Sequence, residues 1–194
     1  MPSPENPDID KYAILLKPIE GNLEPWLDAK GRPKMVGMLG TNRYSDEGLE
    51  TGYCINLAYW GKGYAGEAFS GFLSHFWSLE NRKQMKQLVA KVDPGNVASQ
   101  RIVTRVGAKR GEVLKEWYSR AVDMGKKRDI ECWYIDRPGV TVEEMAVWKE
   151  EIKRQVERKK ELEKAKEERE KVEKERESGQ GTTEDEETNI PQSV

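Results

Sequence analysis

The sequence is poor in the residues that most often carry metal and nucleophilic chemistry. Its 194 residues include one histidine, His75, and two cysteines, Cys54 and Cys132. One histidine and two separated cysteines fall short of a zinc ligand set, so no metal is expected. Both cysteines lie in apolar, strand-like runs and read as buried thiols of a reducing compartment. No apolar run approaches the roughly 20 residues of a spanning helix. Neither sign of charge is in surplus: 33 Lys and Arg stand against 35 Asp and Glu, a net charge of −2. That balance gives no general attraction to nucleic acid. The opening Met1–Asp8 is polar and proline-rich, unlike a signal peptide. The expectation is a cytoplasmic or nuclear chain, with neither membrane nor nucleic acid as partner.

What is present is a regular alternation of elements. Residues 1–9 are expected to be disordered. Tyr12–Leu16 reads as a buried strand, Lys17–Pro33 as a connection, and Met35–Gly40 as a second strand whose glycines permit a bulge or close backbone approach. Asn42–Gly48 is a turn and Leu49–Leu57 a third strand. Ala65, Ala68, Phe69, Phe72, Leu73 and Phe76 recur at three- and four-residue spacing, which predicts a helix from about Tyr64 to Leu79 with His75 on its flank. Leu88–Val92 is a fourth strand. Pro94-Gly95-Asn96 is a turn, followed by a short helix, Val97–Val106, capped near Asn96 and closed by Gly107. Glu112–Ser119 and Asp129–Ile135 form an antiparallel pair. The fold class is α+β, with α/β-type layering: a mixed, mostly antiparallel sheet with flanking helices, over residues 10–138.

Beyond Pro138-Gly139 the composition changes. Thr141 and Glu144 form a capping box, and Met145, Trp148, Ile152 and Val156 give the helix that follows one apolar side. After Leu162 apolar residues nearly vanish, while Glu167–Lys171 and Glu170–Lys174 have the favourable glutamate-before-lysine spacing. A long charged helix over 141–177 is expected, solvated or else dimerised as a coiled coil, and available for protein contact. Residues 178–194 are polar and acidic, hence expected to be disordered.

Gly61, Gly63 and Gly66, set between a strand and a helix, have the composition of an anion cradle. Glycines let the chain curl so that successive N–H groups point inward, and the helix end adds its positive pole. The strand before them, Cys54-Ile55-Asn56-Leu57, can pair with an extended ligand arm. A dinucleotide site uses a similar turn, and Asp93 follows Val92 where its ribose-binding acid would lie. The antiparallel strands upstream argue against that fold. A kinase-type P-loop is excluded because no Gly-Lys-Ser/Thr follows.

The run from Gly52 through Trp60-Gly61-Lys62-Gly63-Tyr64-Ala65-Gly66-Glu67-Ala68 resembles the donor-binding segment of GNAT-superfamily N-acetyltransferases. It is most similar to the branch that includes the ribosomal-protein N-terminal acetyltransferases. The superfamily pattern falls on Trp60 to Ala65, with Trp60 in place of the usual polar first residue. Asn96-x-x-Ser99-x-Arg101-Ile102-Val103 and Gly107 resemble the second donor-contacting segment.

The resemblance implies an acyltransferase that moves an acetyl group from acetyl-CoA to an amine by direct attack. The acceptor would be a protein N-terminus or a small amine. It implies that N–H groups of Trp60, Gly61, Lys62, Gly63, Tyr64 and Ala65 hold the pyrophosphate. Ile55 and Leu57 would pair with the pantetheine arm from one side and Asn96 from the other. Glu50 is the implied base; otherwise it is a strand-end carboxylate in solvent or an ion pair. Ser99 would face the sulfur as acid, or else bond its own helix backbone. Asp129 resembles an aspartate near the acceptor, or caps a turn. Two departures from the family accompany this. Val103 occupies the place of the familiar tyrosine acid, and the strand and two helices that usually precede Tyr12 are not matched, which suggests a shortened N-terminus. A CoA-binding or interaction module with little turnover is the alternative.

Overall fold

The computed structural model describes residues 8–18 and 25–179. It contains, in order, β1 (Lys11–Leu15), β2 (Met35–Ser45), β3 (Gly48–Ile55), α1 (Tyr64–Ser78), β4 (Gln87–Val92), α2 (Val97–Arg105), β5 (Lys109–Tyr118), β6 (Arg128–Asp136) and α3 (Val142–Gly179). The six strands form one sheet in the order β1-β2-β3-β4-β6-β5. Every neighbouring pair is antiparallel except β3 and β4, which run parallel across the α1 crossover. The fold is therefore α+β, mixed and mostly antiparallel, as the sequence implies.

The core lies under α1. Phe69, Phe72, Leu73 and Phe76 are buried along its inner stripe, against Leu39 and Leu49 and alternate residues of β4 and β6: Leu88, Ala90, Val92, Trp133 and Ile135. Each Leu, Ile, Val or Phe among them contributes about 1.5–3 kcal/mol on leaving water. α2 adds Val103 to the same core. His75 stays on the exposed flank, edge-on to Tyr12 with ring centroids 5.8 Å apart.

Several boundaries differ from expectation. β2 continues to Ser45, through the place read as a turn, because Thr41 and Tyr44 still pair with Thr51 and Leu49 across a bulge. β3 stops at Ile55 rather than Leu57. Asn56 caps a 3-10 turn over Leu57–Tyr59, its side chain accepting the Ala58 N–H at 3.0 Å. Cys54 is exposed, not buried, whereas Cys132 is buried, which pushes its thiol up to about 12. Asp8 and Ile9, read as part of a disordered leader, are anchored: the Asp8 carbonyl accepts from Thr41 Oγ1 at 2.6 Å, and Ile9 packs on the core. The rest of that leader, and nearly all of the expected tail, lie outside the described residues.

A strand glycine does the work of close approach here. Gly40 has φ +146°, and a Cβ on it would lie 1.9 Å from the Asp10 carbonyl oxygen. Only glycine fits beneath this segment.

The chain divides into two units, Met1–Trp148 and Lys149–Val194. The capping box is complete: the Thr141 N–H donates to Glu144 Oε2 at 2.9 Å and the Glu144 N–H to Thr141 Oγ1 at 3.2 Å. Trp148 of α3 is partly buried against the core of the first unit, so that unit extends past residue 138. In the second unit α3 is charged all round, with Glu150 and Arg154 paired at 3.6 Å and Leu162 71% exposed. Among the described residues no helix is long and apolar enough to cross a membrane, and no three potential ligands gather for a metal.

Candidate functional site

β3 and β4 pair at only two positions, Glu50↔Val89 and Thr51↔Ala90. Beyond them β3 runs on to Ile55 and β4 to Val92 without further pairing between the two, so the parallel strands part at their carboxyl ends. A strand residue sends its N–H and C=O to one side, and the next residue to the other. The Asn56 N–H donates to Val36 of β2 at 2.8 Å. Tyr53 and Ile55 therefore direct their main-chain groups away from β2, toward the gap between β3 and β4.

The glycine turn stands at the head of this gap. Gly61 and Gly63 have φ of +75° and +83°, and Gly63 is the N-cap of α1 with no side chain to bond the first turn. The first return bond into the helix is from the Glu67 N–H to the Gly63 carbonyl, 3.1 Å. The first-turn N–H groups, including those of Ala65 and Gly66, precede any helical acceptor. A Cβ at Gly61 or Gly63 would meet nothing within 4 Å. Glycine is favoured there by backbone angle, not by crowding.

Two predicted contacts are already occupied. The Trp60 N–H donates to the Leu57 carbonyl at 3.1 Å, and the Trp60 indole N–H to the Ile55 carbonyl at 2.8 Å. Trp60 thus stabilises the turn, and Leu57 lies outside the strand. Across the gap Asn96 caps α2, its side-chain oxygen accepting the Ser99 N–H at 3.1 Å. The Asn96 amide nitrogen is not used in that cap.

Ser99 meets a residue that sequence reading passed over. The Tyr53 hydroxyl donates to Ser99 Oγ at 3.0 Å, linking β3 to α2. Tyr53 packs on Phe69, ring centroids 5.5 Å apart, and burial pushes its phenol above the ordinary value. Strand alternation put Tyr53 on the helix-facing side of β3, but nothing in the sequence showed that Ser99, 46 residues on, would lie at its tip.

On the opposite face of β3 Glu50, Gly52 and Cys54 border a cavity of about 520 Å3, lined also by Lys91, Trp117 and Tyr118. Glu50 is buried and ion-paired: Arg43 Nε lies 3.1 Å from Oε2 and Lys91 Nζ 3.0 Å from Oε1. Lys91, 5% exposed, also reaches Glu47 at 2.7 Å. Burial alone would raise the Glu47 carboxyl, but hydrogen bonds led by Lys91 bring it below its ordinary value.

Asp93 does not serve as a ribose-binding acid would. Its carboxylate accepts from the Tyr118 hydroxyl and the Gly95 N–H, both at 2.7 Å, and pairs with Arg128 at 2.9 Å. Burial works to raise its pKa, and these three partners outweigh it, so the net shift is downward. Asp129 accepts from Lys115 Nζ at 2.6 Å and the Glu116 N–H at 3.0 Å, which holds its carboxyl below the usual range.

The sequence profile of the acetyltransferase (GNAT) domain matches residues 9–109. An uncharacterized protein of Bacillus subtilis strain 168, YkkB, is 33% identical over 69 residues, which is 36% of this chain and 38% of YkkB. Among solved structures, a GNAT-family acetyltransferase from Bacillus anthracis is 22% identical with a TM-score of 0.45, over 56% of this chain and 61% of that one. A ribosomal-protein-S5-alanine acetyltransferase from Vibrio fischeri is 16% identical with a TM-score of 0.46, over 56% and 58%. The chain spans less than two thirds of the length of each of these relatives.

Proposed function

Because this chain belongs to the acetyltransferase (GNAT) domain family, we propose that it transfers an acetyl group from acetyl-CoA to an amine by direct attack. The observation that carries the reading is the parting of β3 and β4 beyond Thr51↔Ala90, with a side-chain-free helix end at its head. A ligand with a diphosphate and an amide-bearing arm fits both features. N–H groups of Gly61–Ala65 hold the diphosphate. Main-chain groups of Tyr53, the N–H of Ile55 and the amide nitrogen of Asn96 hold the arm.

Acetyl-CoA supplies the activated acetyl group and a thiolate leaving group; the chain's own groups position and move protons. The Tyr53 hydroxyl donates into Ser99 Oγ, which leaves the Ser99 proton for a departing sulfur, with Tyr53 as the reservoir behind it. Glu50, at the other face, draws the ammonium of the acceptor and takes its proton directly or through a water. The Arg43 side of its carboxylate is the more open, since Arg43 is 60% exposed.

A second reading, a CoA-binding module with little turnover, is favoured by one observation: both oxygens of Glu50 are already engaged by cations, Arg43 and Lys91. Thiol release from acetyl-CoA with peptides and polyamines, beside calorimetry with CoA, separates the two. Release that saturates with amine establishes transfer; binding without release establishes the module; neither binding nor release rejects both. Tyr53→Phe is expected to lower kcat at least tenfold, the lower edge of general acid contributions being about 10², with CoA affinity unchanged. An unaltered kcat would remove Tyr53 from the proton path.

A further inference from the structure

Trp117 and Tyr118 are consecutive residues of β5, yet both line the same cavity. Neighbours on a regular strand point to opposite faces, so the backbone between β5 and the cavity must be irregular. It is. Leu114 pairs with Ile130 and Tyr118 with Arg128, so four steps along β5 are matched by two along β6 and two residues are looped out. Within the loop Glu116 has φ +49°, a left-handed conformation that a glutamate rarely adopts. Bulges of this kind re-aim side chains beside sites.

Asp129 of β6 holds the bulge from below, one carboxylate oxygen on the Glu116 N–H and the other on Lys115. The aim is then secured from above. The Trp117 ring carries Lys91 Nζ at 3.9 Å and the Arg43 guanidinium at 5.2 Å from its centroid, the same two cations that grip Glu50. The Tyr118 hydroxyl is tied to Asp93. A single strained turn thus sets the wall that faces Glu50.

We propose that the Lys115–Trp117 bulge, clamped by Asp129, is the acceptor-specificity element of this chain, with Trp117 as the surface on which the acceptor's carbon skeleton lies and Asp129 as its positioning residue. The proposal rests on the amine-transfer reading above. It assigns Asp129 a role through the backbone of Glu116 rather than contact with the acceptor.

The test uses the full chain with acetyl-CoA and three acceptor probes: spermidine, phenethylamine and a serine-initiated tripeptide amide. The best of these serves for kinetics. Asp129→Ala is expected to raise the acceptor KM about tenfold, since misplacing a binding group by about 1 Å costs up to 10²-fold, with the KM for acetyl-CoA unchanged. Asp129→Asn keeps an acceptor for the Glu116 N–H and should stay within about threefold of wild type. Combining Asp129→Ala with Glu116→Gly should restore the acceptor KM, because glycine takes the left-handed angle without a clamp. Trp117→Ala should change the ranking of the three probes. Restoration by glycine is the readout that a merely stabilising Asp129 would not produce. Wild-type turnover with an acceptor KM indifferent to Trp117→Ala, or an Asp129→Ala defect that raises both KM values and resists Glu116→Gly, overturns the proposal. No thiol release from wild type with any probe overturns the amine-transfer reading beneath it.

Discussion

Gly63→Asp is expected to weaken CoA binding by on the order of 10²-fold or more, about 3 kcal/mol, as for an uncompensated charge forced beside a like charge in a partly dry site. The position is the N-cap of α1, and Gly63 itself has no side chain over the first-turn amides. An aspartate there would accept those N–H groups itself and set its charge against the diphosphate. Two companion substitutions isolate the charge. Gly63→Ala places a methyl in open space and carries only the cost of φ +83°, about 1 kcal/mol of stability. Gly63→Asn tolerates the left-handed angle and has nearly the shape of aspartate without its charge. Calorimetry should rank CoA affinity as wild type, then Ala and Asn, then Asp far below. The gap between Asn and Asp should narrow in high salt. Equal affinities for Asn and Asp would move the diphosphate away from this turn.

The largest effect on stability is expected at Arg82, far from the cradle. Arg82 is 2% exposed, yet it is a cation. Its guanidinium pairs with Asp8 and, at 2.8 Å, with Asp10, and lies 5.7 Å from the Phe76 ring centroid. Asp8 also accepts from the Tyr44 hydroxyl at 2.6 Å. This cluster ties residues 8–10 to the segment between α1 and β4. Arg82→Ala removes the cation and leaves two half-enclosed carboxylates side by side, a change that costs about 3–5 kcal/mol when a buried pair is broken from one end. A fall of roughly 10 °C in melting temperature follows for a unit of this size. Replacing the whole cluster together should cost much less, so Arg82→Met with Asp8→Asn and Asp10→Asn is expected to recover most of the loss. If Arg82→Ala alone melts like wild type, the N-terminal anchoring seen here does not contribute to stability.

Much of the fold was legible because its signals are local. The apolar spacing of Phe69, Phe72, Leu73 and Phe76 marks α1, and Asn96, Gly107 and the Thr141–Glu144 box mark helix ends within a few residues. Boundaries failed where strand pairing or a side-chain cap overrode the apolar pattern. β2 runs through a polar stretch because Thr41 and Tyr44 find partners on β3. β3 ends early because the Asn56 side chain offers its own turn. Of the two irregular stretches of β5, the one between Arg110 and Val113 carries a strand glycine, Gly111, whereas the one between Leu114 and Tyr118 left no mark, since Glu116 is neither glycine nor asparagine.

The same division holds at the site. By itself the sequence determined the glycine turn and the Asn96–Ser99 segment, because each depends on backbone freedom or capping within one short stretch. Only the tertiary structure decided which charges meet Glu50, that Tyr53 reaches Ser99, and that Trp117 turns inward beside Tyr118. Those outcomes depend on side chains from different strands and helices being brought together by the pairing of strands, Tyr53 and Ser99 across 46 residues, and no local pattern encodes where a sheet will open.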